Sequence, residues 1–299
     1  MRIHGDWSAA GFDLPPAAPL TGPFAGRAFL ETWWRHRGTG EALLVESDGA
    51  LLPLWRHGDT VGFLGEADLT DYHAPRGGEV RELTAAFAAG LQAGDRVVFD
   101  SLPDEAAGSI ETGLRDAGLA PQRSQHEIAA VLDLPERHDD YLGALSKKQR
   151  HEVRRKRRRF ETALGDPQLV QDRGGFARFV AMHRAAPGEK GQFMTPEMEA
   201  FFSDLLDVPG SSLDLLVAGD EIAAAALGFH EAGAYYLYNS SFAPEAAPAS
   251  PGVVLIDLLI ERAIAAGLRR FDFLKGDETY KFRLGATRRP LWKLEAVVT

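Results

Sequence analysis

Residues 235–285, YYLYNSSFAPEAAPASPGVVLIDLLIERAIAAGLRRFDFLKGDETYKFRLG, constrain the fold more than any other stretch. Residues 235–241 read as a strand, a loop ends in Ser250-Pro251-Gly252, and 253–266 is an apolar helix. A second strand (269–274) follows, then a polar segment with Asp277, Tyr280 and Lys281. Strand, loop, helix, strand is a βαβ unit, and strands joined through a helix run parallel. The loop entering such a helix points several amide N–H groups outward, which makes it a natural seat for a phosphate.

The remainder reads as two copies of one plan. In the first half, 26–37 is a helix with Phe29 and Trp33 one turn apart and Gly38 as its stop. Strands follow at 41–47, 50–57 and 60–64, the first two joined by the hairpin signal Asp48-Gly49. A helix (79–93), a strand (96–100), a helix (105–117) and a strand at 128–134 complete it. In the second half, strands at 213–218, 221–230 and 234–241 precede the βαβ unit. Laying LLVESDGALLPL over LLVAGDEIAAAA puts Leu43, Leu44 and Val45 on Leu215, Leu216 and Val217, an offset of 172. The same offset puts Phe99 and Asp100 on Phe271 and Asp272, so two distant anchors argue for a duplicated domain. The expected class is α/β of the α+β type. Each tandem half is a mixed, mostly antiparallel sheet with one parallel βαβ crossover, flanked by helices. The expected division is 1–137, a basic linking helix at 138–165, and 166–299.

The two crossovers differ at the helix entrance. The first opens Gly77-Gly78-Glu79-Val80-Arg81-Glu82, and its two carboxylates repel a phosphate at the positive end of the helix dipole. The second has no acid from Ser250 through Ile256, which makes it the donor side and the first half the scaffold and acceptor wall.

Composition closes several routes. There is no cysteine, which excludes disulfides, thiol nucleophiles and Cys-based metal sites. No two histidines stand at metal-ligand spacing, so no metal is expected. The N-terminus lacks a signal-peptide core, and no run approaches the ~20 apolar residues that span a bilayer; a cytoplasmic location is expected. The net charge is −10, yet Lys147, Lys148, Arg150, Arg154, Arg155, Lys156, Arg157, Arg158 and Arg159 crowd one segment opposed only by Glu152. The rest of the chain carries −18. Leu142, Leu145, Gln149, Val153, Lys156, Phe160 and Leu164 recur at three- and four-residue steps, so the segment is a helix with a narrow apolar stripe. Its arginines are either a solvated face bridging two domains or a contact for coenzyme phosphate, RNA or a polyanionic glycan. Phe160 is the only aromatic in the run, which removes the interleaving that base stacking needs, and DNA is not expected.

The basic "KKxR" helix, the Ser-Pro-Gly loop and the final FDFLKGDETYKFRLG together resemble the BioF2-like (CelD/BcsL-like) acyltransferases. These belong to the GNAT superfamily and are related to the FemABX peptidyltransferases. The match runs from about Leu145 to Gly285. It implies two GNAT-like halves, with the donor pantetheine between splayed parallel strands and its pyrophosphate on the amides of Gly252, Val253 and Val254. The Gly-rich pyrophosphate loop usual in that superfamily is replaced by Ala246-Ala247-Pro248-Ala249-Ser250-Pro251-Gly252.

The implied reaction is transfer of an acyl group, acetyl by default, from coenzyme A to a small-molecule or glycan amine, by direct attack in a ternary complex. Such chemistry needs a deprotonated amine and a donor for the developing oxyanion. Lys281 and Tyr280 are the expected catalytic pair, with Asp272 orienting and Asp277 as a possible base; Glu278, His230 and a tyrosine-relayed water are alternatives. Ser250 reads as the helix N-cap with Pro251 at the first helical position. Donor contacts are expected from Ser250, Gly252, Val253, Val254, Tyr238 and Ser240, and acceptor contacts from Asp71, Tyr72, His73, Lys275 and Arg150. The alternative enzyme uses aminoacyl-tRNA as donor. A third reading is a non-catalytic module holding a polyanion in exopolysaccharide assembly.

Overall fold

The computed structural model describes residues 1–299, the side chains of Ala10 and Lys190 aside. Contacts divide the chain into Met1–Ala129 with Arg288–Thr299, and Ala130–Thr287. The sequence division at 137 and the unbroken 166–299 segment therefore differ from the observed one at both ends of the second unit.

In the first unit β1 (Arg2–His4), β2 (Glu41–Glu46), β3 (Ala50–His57), β4 (Thr60–Phe63), the short β5 (Arg76–Gly77) and β6 (Arg96–Leu102) precede β7 (Gln122–Asp133), which runs into the second unit. Helices α1 (Arg27–Arg37), α2 (Val80–Ala88) and α3 (Asp104–Asp116) accompany them. Pairing is antiparallel from β1 through β4, and β5 adds to β3. The β4 to β6 pair is parallel, through Thr60↔Arg96 and Val61↔Val97, with α2 on the crossover. Val45, Leu54, Phe63, Leu83, Phe87, Phe99, Ile110 and Leu114 form its core. The last strand, β13 (Thr287–Val297), lies antiparallel on β6, with Leu294 opposite Phe99. It covers what would be an open strand edge, and burial of Leu291, Leu294 and Ala296 holds it there. This return of the chain end is what the sequence division lacked.

The second unit orders its strands β8 (Gln168–Gln171), β9 (Ser211–Ala218), β10 (Glu221–Glu231), β11 (Ala234–Phe242) and β12 (Arg270–Lys275) side by side in reverse, β12-β11-β10-β9-β8. All pairs are antiparallel except β11 with β12. The helices are α4 (His138–Ala144), α5 (Lys147–Leu164), α6 (Phe176–Arg184), α7 (Glu189–Phe193), α8 (Pro196–Leu205), the crossover helix α9 (Pro251–Ala265) and the one-turn α10 (Thr279–Arg283). Each unit thus holds one parallel crossover in a mixed sheet, as the duplication implies.

The expected single helix at 138–165 is two. Ser146 accepts from Gln149 N at 3.3 Å, and the Gln149 side chain accepts from Ser146 N at 3.1 Å, a capping box that starts α5 afresh. α5 belongs to the second unit and packs Val153 and Phe160 inward. Its Arg157 docks on the acids of α9, 3.0 Å from Glu261 and 3.7 Å from the buried Asp257, which also receives His138 at 3.2 Å.

Candidate active site

The second unit's two parallel strands part. β11 and β12 pair at Ala234↔Arg270, Tyr235↔Phe271 and Tyr236↔Asp272, and the ladder stops there. Beyond that point β11 continues to Phe242 along β10, past the end of its ladder with β12. The register on β10 shifts in the same place: Gly228 faces Leu237 but Leu227 faces Asn239, which leaves Tyr238 as the extra residue of a bulge.

A buried strut fixes this geometry. The Tyr235 ring lies across Gly228, where a Cβ would sit 2.3 Å from its hydroxyl, so no larger residue fits without displacing it. That hydroxyl donates to Asp214 Oδ2 at 2.7 Å, and Ser212 donates to the same oxygen at 2.9 Å. Arg262 of α9 holds Asp214 Oδ1 at 2.6 Å, and Asp214 has no exposed surface. The strut therefore ties β9, β11 and α9 together at the point where the strands begin to part. His230, a candidate base, stacks edge-on against Tyr235 at the closed end, and burial lowers its pKa.

At the open end the chain enters α9 through a Pro-bracketed 3-10 turn, Pro244–Ala249. Ser250 ends that turn in the left-handed region (φ 61°, ψ 45°), and its side chain makes no capping bond. The expected side-chain cap fails because an N-cap needs extended backbone, and here the preceding turn dictates the conformation. Pro251 does occupy the first helical position. Val253 and Val254 both direct their N–H groups to Ser250 O, at 3.2 and 3.4 Å. Among the described residues Gly252 N has no such partner, so one amide is offered where three were expected. A Cβ on Gly252 would meet only the Phe242 ring, at an ordinary 3.5 Å. The first unit's entrance is closed by contrast: Gly78 N and Glu79 N both bond Gly49 O, and the Glu79 carboxylate lies over Gly49.

The Gly-Asp-x-x-Tyr-Lys element is a folded clamp. Asp272, without exposed surface, accepts from Leu274 N at 2.8 Å and holds Leu274 at φ 62°, a conformation a leucine rarely adopts. Gly276 follows at φ 107°, where a side chain would strike Glu278. The carbonyls of Leu274, Lys275 and Gly276 converge on the buried Lys281 ammonium, which Glu278 also approaches at 2.9 Å. Four oxygens take up three protons, leaving none for an external oxyanion. Asp277 and Tyr280 are on the exposed side of this turn. The Tyr280 ring meets Phe273 edge-on, and desolvation, reinforced by the Glu278 charge, raises its hydroxyl pKa so that it stays protonated.

Other expected residues separate. Tyr72 and His73 are buried in the first unit rather than displayed on a loop. Arg289 covers the Tyr72 ring at 5.0 Å, and His73 Nδ1 lies 3.2 Å from Asp100 beneath stacked Phe63. Asp71 beside them is half-buried. Arg150 donates to the carbonyls of Leu142 and Gly143, finishing α4. Tyr238 and Ser240 do sit on the parted stretch of β11, partly exposed, and Lys275 ends β12. The sequence reading missed Ser241 on the same stretch, which is 2% exposed and whose hydroxyl has no partner among the described residues. The run Asn239-Ser240-Ser241, polar in the middle of a strand, was its signal.

The second unit therefore holds a parallel pair that parts after Tyr236 and Asp272, with a bulge on β11 just beyond. Residues 147–282 match the acetyltransferase (GNAT) domain family, and the fold of the chain is shared with FemX. The FemX crystal structure superposes at a TM-score of 0.63 with 12% identity, covering 98% of this chain and 97% of that one. A conserved protein from Bacteroides thetaiotaomicron gives 0.66 at 10% identity over 99% of each. The lysylphosphatidylglycerol synthetase L-PGS from Bacillus licheniformis gives 0.59 at 15% identity over 93% of each. At such identities these likenesses establish the fold. No curated protein matches the sequence.

Proposed function

We propose that the protein is an N-acyltransferase taking its acyl group from a coenzyme A thioester. The carrying observation is the parting of β11 from β12 after Tyr236 and Asp272, next to the open Gly252 amide. An extended pantetheine arm can lie along the stretch of β11 beyond its ladder with β12, as an added strand does. The amine of the acceptor attacks the thioester carbonyl, the C–S bond breaks, and the departing thiolate takes a proton. Tyr280, protonated and exposed, is the side chain of the clamp suited to supply it, with Asp277, an exposed carboxylate of the same turn, for the incoming amine. Lys281 positions this turn. Ser240 and Ser241 line the arm's path on β11. The test is calorimetry with acetyl-CoA and longer acyl-CoAs: binding is expected, weakened at least tenfold by Gly252→Glu, which sets a carboxylate at the positive end of α9. Absence of heat with every thioester overturns the reading.

One observation favours an aminoacyl-tRNA donor instead. The Pro244–Ala249 turn stands where a Gly-rich pyrophosphate loop would be, and two of three entrance amides are already spent on Ser250. Binding of a charged tRNA, with no response to any acyl-CoA, would select this second reading.

A further inference from the structure

Nine cations lie between residues 147 and 159, and the structure sorts them by face. Arg157 turns inward to Asp257 and Glu261, Arg150 finishes α4, and Arg155 and Lys156 flank Glu152. Lys147, Lys148, Arg154, Arg158 and Arg159 are exposed and, among the described residues, have no ion partner. Lys147, His151, Arg154 and Arg158 follow one another at helical spacing, with Lys148, Arg155 and Arg159 alongside. The stripe is directly opposite the buried Val153 and Phe160 and runs for about 18 Å at 1.5 Å per residue. The one acid beside it, Glu152, is paired with Arg155. Like charges three and four apart destabilise a helix, so a merely solvated face would be more stable with mixed signs.

We infer that this face of α5 binds the surface of an anionic lipid bilayer. Its cations point one way from one straight element, so all of them reach a plane together. The stripe carries no exposed aromatic among the described residues, which removes base stacking. Among the described residues the stripe itself carries no apolar side chain for insertion, so the attachment is electrostatic only. The remaining −18 opposes attachment to such a surface, and charges more than about 10 Å from it are screened. The inference is independent of which donor the cleft takes.

The test is co-sedimentation of the full chain with phosphatidylcholine vesicles, with and without phosphatidylglycerol. Pelleting is expected only with the anionic lipid and is lost as salt rises, since each basic residue near such a surface is worth roughly fivefold in affinity. Arg154→Glu with Arg158→Glu should weaken it at least tenfold. Arg2→Glu with Arg27→Glu makes the same charge change in the first unit and should stay near the parent. Unchanged melting of both variants confirms that folding is intact. Equal pelleting with neutral vesicles, no pelleting at low salt, or a stripe variant that pellets like the parent overturns the inference. So does retention of duplex RNA, but not vesicles, by this face.

Discussion

Tyr236 and Asp272 are the last residues to pair between β11 and β12, and both are buried. On one side of this pair Asp272 holds Leu274 in its left-handed turn; on the other, Tyr235 is bolted to Asp214. The gap that follows is therefore set from both strands, and each device can be removed separately.

Lys281→Ala leaves three backbone carbonyls without their shared cation. A loss of about 2–4 kcal/mol in unfolding free energy is expected, as for other buried polar groups stripped of partners. Denaturant melts measure it, and amide exchange should rise first in residues 274–278. A variant as stable as the parent, but inactive, would return Lys281 to a chemical role.

Tyr235→Phe removes one hydroxyl and leaves the Asp214 carboxylate with a lost donor. About 1.5–3 kcal/mol of stability should go, the range for a hydrogen bond to a charged group. Gly228→Ala should destabilise, whereas the same change in a helix interior stabilises, because its Cβ displaces the Tyr235 ring.

Ser146→Ala cancels the capping box at the start of α5. About 1 kcal/mol of stability is expected to be lost in denaturant melts. Lys147 and Lys148 at the positive end of the helix dipole make the cap more necessary there.

His138 gives a pH dependence with a definite sign. Burial opposes its charge, but the hydrogen bond and charge of Asp257 outweigh that and raise its pKa above the ordinary value. Its stabilising contribution is therefore complete below about pH 6.5, the unfolded value, and fades as pH rises through the folded one. The melting difference between parent and His138→Gln should shrink from about pH 6 to pH 8. A difference constant across that window would show that the pair does not titrate.

Much of this was legible because it is local. The βαβ unit, the Asp48-Gly49 hairpin and the acid-free entrance of α9 follow from short-range spacing and turn chemistry. Ser146-Lys147-Lys148-Gln149 also announced its break, but the apolar stripe runs on across it and hid the cap. Other features depend on contacts far along the chain. The strand at 287–297 has its partner in β6, and nothing near it in sequence says so. Tyr72 and His73 read as a polar loop until Phe63, Asp100 and Arg289 enclose them. Lys281 looked like a free ammonium because three backbone carbonyls converging on it have no side-chain signature.

Amide hydrogen exchange with and without acetyl-CoA tests the donor cleft most directly. Slowed exchange is expected along residues 237–242 of β11 and at Gly252, with the corresponding entrance of α2 at residues 78–80 unchanged. Unaltered exchange along β11, or protection at 78–80 instead, would contradict a donor held between β11 and β12.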